Sequence, residues 1–508
     1  MTAPAKPGIS PPPPAPAWDF DDGHKWRAFG AISISFVTMV LSMSMVFVAL
    51  SAIADDFGIT LRAVSWVVIA QALTISALMM PMGRLADIVG WKRVHLMGLL
   101  LFGGGAIFVG LAPTFGVLIV ARIVMAVGNA MGQSVGTAMV VAVFPPAERG
   151  MAIGSQTTAV AIGGASGPIV GGLLLQVLPW QALFFMLVVP IAIAFVAGLW
   201  ILDDRRMQPR RVQERKPFDW GGAILSGLPI VLLVIAINNP RGDPWLSPVI
   251  VGSLIAVVLL MVAFVRWELR NAAPMLDLRL FRNNVFSLAV TARLLGFMGT
   301  TVTAFMMPIY LISLRGMKEG AAGGVLFLTS LGMGIAAQAA GRLSDRFGSR
   351  RFAVGGFTVL VAMSLPMAFL TERSPLPLVM ALLFVNGLGM GTWNVPNNSV
   401  IMGSVPVTSL GVVGAFTNLT RNVGNVTGQA IASGIVVAVM AAHGFDIPLS
   451  AIAGTAGAGS AFIDGWRAAY LLATLYSAVA LILAIRTKPL PDRAARRAAE
   501  PPPALTRR

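Results

Sequence analysis

Three arginines in this 508-residue chain occupy positions where a charge needs a reason. Arg122, Arg293 and Arg421 each stand alone inside a long apolar run, with no other charged residue in that run. A guanidinium cannot shed its proton to suit an apolar surrounding. Left unpaired at the centre of a bilayer it costs about 3 kcal/mol or more. Each must therefore face protein, water or a ligand. Two kinds of chemistry fit. One is internal: hydrogen bonds to carbonyls and to the amides nearby, among them Asn129, Gln133, Asn418, Asn422, Asn425 and Gln429. The other is a cationic cavity that receives an anion or the headgroup of an amphipathic compound. A second polar group reads Asn386, then Thr392-Trp393-Asn394-Val395-Pro396-Asn397-Asn398-Ser399. Proline inside a helix frees a carbonyl and bends the axis. Trp393 offers a flat apolar face and one donor, and Asn394 and Asn397 share a helix face. Ser42, Gln71 and Thr74, and Gln156 to Thr158, are further polar positions in apolar runs.

What is absent matters as much. All 21 Asp and Glu can be assigned to loops, tails or helix ends, and His24, His95 and His443 lie away from span centres. A proton relay through the midplane needs a titratable group there, so carboxylate-based coupling at mid-depth has no carrier. With no Cys in the chain, thiolate metal sites, disulfides and cysteine nucleophiles are excluded. There is no Walker A motif, no H-E-x-x-H pair and no candidate catalytic triad, so no enzyme and no cofactor is expected.

The elements that hold these residues follow from composition. The chain is 56% hydrophobic and 11% charged, with a mean hydropathy of +0.80; soluble domains carry about 25% charge. This is the balance of a polytopic membrane protein. About 20 apolar residues make a helix that crosses the hydrocarbon layer. Fourteen spans meet that length: 28–54, 63–82, 94–111, 115–142, 150–175, 180–202, 220–238, 248–265, 284–314, 321–340, 352–370, 377–401, 411–441 and 466–485. The expected fold is thus an all-α polytopic membrane protein, since open sheet edges find no partner in lipid. With the N-terminus inside, inward segments hold 28 of the 37 Lys and Arg and outward loops hold six. That asymmetry places both termini in the cytoplasm of a cell (inner or plasma) membrane. It also accounts for the net charge of +16 without nucleic acid.

One stretch occurs twice. Gly83-Arg84-Leu85-Ala86-Asp87-Ile88-Val89-Gly90-Trp91-Lys92-Arg93 follows span two, and Gly341-Arg342-Leu343-Ser344-Asp345-Arg346-Phe347-Gly348-Ser349-Arg350-Arg351 follows span ten. The shared pattern G-R-L-x-D-x-x-G-x-[KR]-R implies two parallel six-helix halves, 28–202 and 284–486, with two helices inserted at 220–283. A Pro-rich tail (1–27), a basic linker (203–219) and a basic tail (487–508) complete the division. In each copy the first glycine lets a helix end approach a neighbour. The acid can pair with an adjacent Arg or cap a helix N-terminus. Gly83, Asp87, Arg93, Gly341, Asp345 and Arg351 are therefore candidates for a latch.

The repeat and the fourteen spans resemble the major facilitator superfamily, specifically its fourteen-helix drug:proton antiporter branch, over about residues 28–486. Arg122 with Gly128 is similar to that family's arginine motif. Gly163-Gly164-Ala165-Ser166-Gly167-Pro168-Ile169-Val170-Gly171-Gly172 is similar to its antiporter signature. The resemblance implies that Gly163, Gly167 and Pro168 help seal the cavity on one side. The chain departs from the branch in its first span, where Leu41-Ser42-Met43-Ser44 stands in place of a pattern that carries an acid.

The function expected is secondary active transport by alternating access, with export of small amphipathic or hydrophobic compounds. The cavity residues would be Ser42, Gln71, Arg122, Asn129, Arg293, Trp393, Asn394, Asn397 and Arg421. The expected partners are a small-molecule substrate, membrane lipids and a coupling ion such as the proton, with the chain acting as a monomer. Two other readings stay open at this point. One is an anion or lipid-headgroup carrier uncoupled from a midplane carboxylate; the other is a non-transporting membrane scaffold or sensor.

Overall fold

The computed structural model describes residues 22–59, 61–145, 148–207, 218–238, 247–271, 274–406, 409–445, 455 and 457–487. The Pro-rich residues 1–21, most of the basic linker (208–217) and the basic tail from 488 lie outside the described residues. Among these described residues the long helices are α1 Asp22–Phe57, α2 Trp66–Val89, α3 Trp91–Gly110, α4 Phe115–Val143, α5 Arg149–Leu174, α6 Gln181–Ile201, α7 Trp220–Asn238, α8 Pro248–Arg270, α9 Asn284–Ile309, α10 Glu319–Phe347, α11 Ser349–Ala368, α12 Leu376–Gly403, α13 Leu410–Ala442 and α14 Ala458–Arg486. Short turns of helix occur at Leu61–Val64, Asp204–Met207, Leu278–Arg282 and Tyr310–Leu314. Among the described residues, thirteen helices are long and apolar enough to cross a membrane, and α7 contributes a shorter apolar stretch, Trp220–Ala236.

Several boundaries differ from the sequence expectation; the last helix, for one, begins at Ala458 rather than 466. Helix α1 starts at Asp22 rather than 28, because Lys25 is buried there and donates to Glu148 Oε2 at 2.7 Å. Helix α8 runs on to Arg270 and so includes Glu268. The repeated motif, expected as a loop, is almost entirely helical: one residue, Gly90 or Gly348, separates two helices in each copy. Those glycines have φ of 119° and 89°, a region that a side chain disfavours, so one residue suffices to turn the chain.

Packing repeats as the motif does. In the first set, α1 packs on α5 and α6, α3 on α4 and α6, and α2 on α4. In the second, α9 packs on α13 and α14, α11 on α12 and α14, and α10 on α12, which is the same set of pairs displaced by eight helices. The two sets meet along α2–α13 and α5–α10. Helices α7 and α8 pack on one another, and α7 rests on α2.

The buried apolar residues divide unevenly along the bundle. At the end that bears the repeated motif, one core draws on both sets, joining Ile32, Trp91, Val140 and Phe144 to Phe286, Ala337, Ile401 and Val413. Toward the other end there are two separate large cores. One is built only from α1–α6 and the segment before α2, around Met45, Phe102, Leu118 and Phe184. The other is built only from α9–α14 and the turns among them, around Met306, Tyr310, Trp466 and Tyr470.

Candidate functional site

The two motif acids perform the same task in opposite directions. Asp87, at the end of α2, accepts the Val412 N–H on Oδ2 at 3.0 Å, and that amide belongs to the first turn of α13. Its other oxygen takes Trp91 Nε1–H at 2.9 Å. Asp345, at the end of α10, accepts the Gly150 and Met151 N–H groups, each at 2.9 Å, and these open α5. The first amides of a helix have no partner of their own and carry the positive end of its dipole. Each carboxylate thus satisfies a helix start in the other set. Of the two roles open to these acids, capping is the one realised.

Small residues make that approach feasible. A methyl group built on Gly83 would stand 2.5 Å from Ala415 Cβ and 3.1 Å from the Gly411 carbonyl oxygen. One built on Gly341 would stand 3.2 Å from Gly154 Cα. Two hydrogen bonds extend the α5–α10 seam: Ser155 Oγ to Gln338 Oε1 at 3.0 Å and Thr158 Oγ1 to the Gly334 carbonyl at 2.9 Å. Arg93 and Arg351 are exposed and lie outside these contacts. Gly163 and Gly167 press α5 against α1, where added methyls would meet the Val37 carbonyl and the Met45 amide at 2.8 and 2.9 Å. Pro168 is exposed, and α5 continues through it without a break.

The arginines divide by how completely protein surrounds them. Arg122 on α4 is fully buried. It donates through Nη2 to Gln71 Oε1 and through Nε to the Val67 carbonyl at 3.4 Å, and its guanidinium stands 5.5 Å from the centre of the Phe184 ring. Arg293 on α9 is 3% exposed. It donates to the Thr417 carbonyl at 3.1 Å and to Asn394 Oδ1 at 2.9 Å, and lies 5.0 Å from the Phe297 ring centre. Arg421 on α13 is half-buried and donates to Gln133 Oε1 at 3.1 Å.

Gln133 is the hub that sequence reasoning undervalued. Its Nε2 donates to Asn129 Oδ1 at 2.6 Å, its side-chain oxygen accepts Arg421, and its main-chain oxygen accepts Asn418 Nδ2 at 3.1 Å. The line Asn129–Gln133–Arg421 therefore crosses from α4 to α13. The signal was the pair Asn129 and Gln133, four residues apart and so on one helix face.

Trp393 does not line the passage as expected. It is fully buried inside the second set, stacked on Phe357 at 4.7 Å and edge-on to Phe297 at 5.2 Å. A stripe of glycines at 296, 356 and 389 makes room for large side chains there, and the ring gains more from that packing than from a polar wall. Asn397 is buried as well and donates to the Ala289 carbonyl at 3.0 Å, tying α12 to α9. Ser42 is buried in α1 with no hydrogen bond to its Oγ. Arg122 with Gln71, Arg293 with Asn394, and Arg421 with Gln133 and Asn129 remain as three linked polar groups within the helices.

The model of the Major Facilitator Superfamily matches residues 32–429. The chain belongs to this superfamily. It is 30% identical over 410 residues to the riboflavin transporter RibZ of Clostridioides difficile (strain 630), covering 81% of this chain and 88% of that protein. It is 27% identical over 409 residues to the tetracenomycin C resistance and export protein of Streptomyces glaucescens, covering 80% and 75%. Among solved structures it shares the fold of the proton:xylose symporter XylE, with a TM-score of 0.62 and 13% identity over 92% of this chain and 97% of that one. The protein is accordingly a multi-pass membrane transporter of small molecules and not an enzyme.

Proposed function

We propose that this transporter exports small amphipathic or hydrophobic compounds across the cell membrane by alternating access. In this reading it acts as a monomer of the fourteen-helix drug:proton antiporter branch, both termini cytoplasmic. The observation that carries the mechanism is the uneven core: one shared core and two reciprocal caps at the motif end, separate cores at the other. We read α1–α6 and α9–α14 as two rocking halves, with α7 and α8 inserted between them. The positive-inside asymmetry favours a cytoplasmic motif end, and on that reading the conformation described is closed to the cytoplasm. The line Asn129–Gln133–Arg421 joins α4 to α13 and, on this reading, would form the floor of the outward cavity. Export is favoured by likeness to resistance and export proteins.

A second reading is favoured by one specific feature. The three guanidiniums, two buried and one half-buried, are met by neutral oxygens and, for Arg122 and Arg293, aromatic rings in the contacts described above. A substrate that brings its own negative charge would complete them, as an anion or a lipid headgroup does. Flux into proteoliposomes, with and without a pH gradient, separates the two. Riboflavin is the first probe, because it is named for a relative at 30% identity, followed by a panel of toxic cationic and anionic amphiphiles. Gradient-driven flux of neutral or cationic compounds supports the exporter, and gradient-insensitive flux of anions supports the carrier. If cells carrying the wild type and Arg293→Ala tolerate every compound equally and no flux appears, transport of these classes is refuted.

A further inference from the structure

Asp219 and Glu268 meet in the interior between the two inserted helices. Asp219 immediately precedes α7 and is 7% exposed, and Glu268 lies in the last turn of α8 and is 3% exposed. Each uses one carboxylate oxygen locally. Asp219 Oδ1 accepts the Gly222 N–H at 2.8 Å and Trp267 Nε1–H at 2.9 Å. Glu268 Oε2 accepts the Leu276 N–H at 3.3 Å. The remaining oxygens, Asp219 Oδ2 and Glu268 Oε1, are both buried and have no hydrogen-bond partner. Both converge on Gly222: a methyl group there would meet Glu268 Oε1 at 2.5 Å and Asp219 Oδ2 closer still. Two unpartnered carboxylate oxygens thus face each other across the space that a glycine leaves open.

Burying two such oxygens as negative charges, each without a donor, is strongly unfavourable. A single proton held between them removes one charge and supplies the missing hydrogen bond, as two carboxylates sharing a site do. A metal cation fits less well, since hard cations want several oxygen ligands and only two unused ones converge here. Among the described residues the charged groups around the pair are few. From α2, Arg84 lies within electrostatic reach of Glu268, and of Asp87 on the same helix. On α8 itself Arg266 and Arg270 are exposed, as are Arg279 and Arg282 in the turn that follows. Helix α7 carries no charged residue, and the one charge on α13, Arg421, is bound to Gln133.

We propose that Asp219 and Glu268 form a proton-binding site in the inserted helices, whose occupancy is read by Arg84 of the repeated motif. With the proton bound, the pair carries one charge and Arg84 rests between it and Asp87. When the proton leaves to the cytoplasmic solution, the doubly charged pair draws Arg84 toward it and away from the end of α2 that carries the Asp87 cap. Proton occupancy and the latch are then linked through one side chain, at a place remote from the midplane, where this chain has no acid. The proposal does not depend on which compound is carried.

The test is infrared difference spectroscopy of the purified full-length protein in lipid nanodiscs, titrated with acid and base. A protonated-carboxyl band is expected at neutral pH, carrying one proton per chain. Both Glu268→Gln and Asp219→Asn should abolish it, because either substitution breaks the shared arrangement. Arg84→Gln should keep the band and move its loss to higher pH by roughly one unit, since it removes the nearby positive charge. Circular dichroism and gel filtration establish that each variant is folded, and Gly222→Ala, which keeps both acids but fills the space between them, gives an independent loss of the band. A band that survives in both acid variants, or none in the wild type, overturns the proton site. A titration unchanged by Arg84→Gln overturns the part assigned to Arg84.

Discussion

Replacing both motif acids by their amides, Asp87→Asn with Asp345→Asn, tests the latch directly. The substitution keeps size and a carbonyl acceptor but removes the charge that faces each helix start. Asp87 holds one amide of α13 at 3.0 Å, and Asp345 holds two of α5 at 2.9 Å. A charge at a partly buried helix terminus contributes up to about 2 kcal/mol, and about 1 kcal/mol when more exposed. The caps lie on different helix pairs, so their effects should add, giving about 2–4 kcal/mol for the pair. At a factor of ten per 1.4 kcal/mol, the balance between the closed and open cytoplasmic end shifts by roughly 30-fold to several hundred-fold. The chain has no cysteine, so spin labels at Arg93→Cys and Arg351→Cys, both exposed beside the motif, report one distance between the halves. Electron–electron resonance should show a short distance in the otherwise wild-type protein and a dominant longer one in the double amide. An unchanged distribution in a folded double variant would show that the caps do not hold this end shut.

Other consequences are simpler to check. Gly83→Val forces a side chain into the 2.5 Å gap to Ala415 and should lengthen the same label distance without altering helix content by circular dichroism. Gln133→Leu leaves the Arg421 bond and the Asn129 carbonyl unmet at a buried position; leaving a buried polar group unsatisfied costs about 1–3 kcal/mol, measurable as a lower thermal midpoint. Trp393→Ala empties a packed site and should destabilise by about 3–5 kcal/mol, while leaving the ranking of transported compounds unchanged. Arg421→Ala should do the reverse, changing that ranking with a smaller loss of thermal stability than Arg122→Ala.

Much of the architecture was legible because lipid narrows the choices: long apolar runs must be helices, and thirteen of them appear as such among the described residues. The repeated motif marked equivalent helix ends, and the packing pairs recur with the same displacement. What the sequence concealed was contact at a distance. Asp87 and Val412 are 325 residues apart, and nothing local chooses between an arginine and a helix start as the partner of that acid. The motif's positive charges were also misleading. Basic residues beside an acid look like ion-pair partners, yet Arg93 and Arg351 are exposed, while backbone amides take the carboxylates. Glu268 escaped notice for a different reason. Arg266 and Arg270 flank it, so the stretch reads as a solvated loop, although Glu268 turns inward on the same face as Phe264, one helical turn before it.

Burial alone would rank the arginines wrongly as ligand-binding groups. Arg122 is the most buried, but Gln71, the Val67 carbonyl and the Phe184 ring already surround it, and a ligand would have to displace them. Arg293 has two oxygens and a ring, and one of those oxygens, Asn394 Oδ1, belongs to a half-buried side chain that can turn away. Among the described residues Arg421 has a single side-chain hydrogen-bond partner; it is half-buried and lies on the line that joins α4 to α13. A guanidinium carries five donors, so the fewer the protein engages, the more remain for a carboxylate, phosphate or phenolate. If the halves part at that line, Gln133 and Arg421 separate. The donor that Gln133 held would then be released to the cavity at the step when substrate exchanges, and on the proposed reading Arg421 would join substrate binding to the movement of the halves.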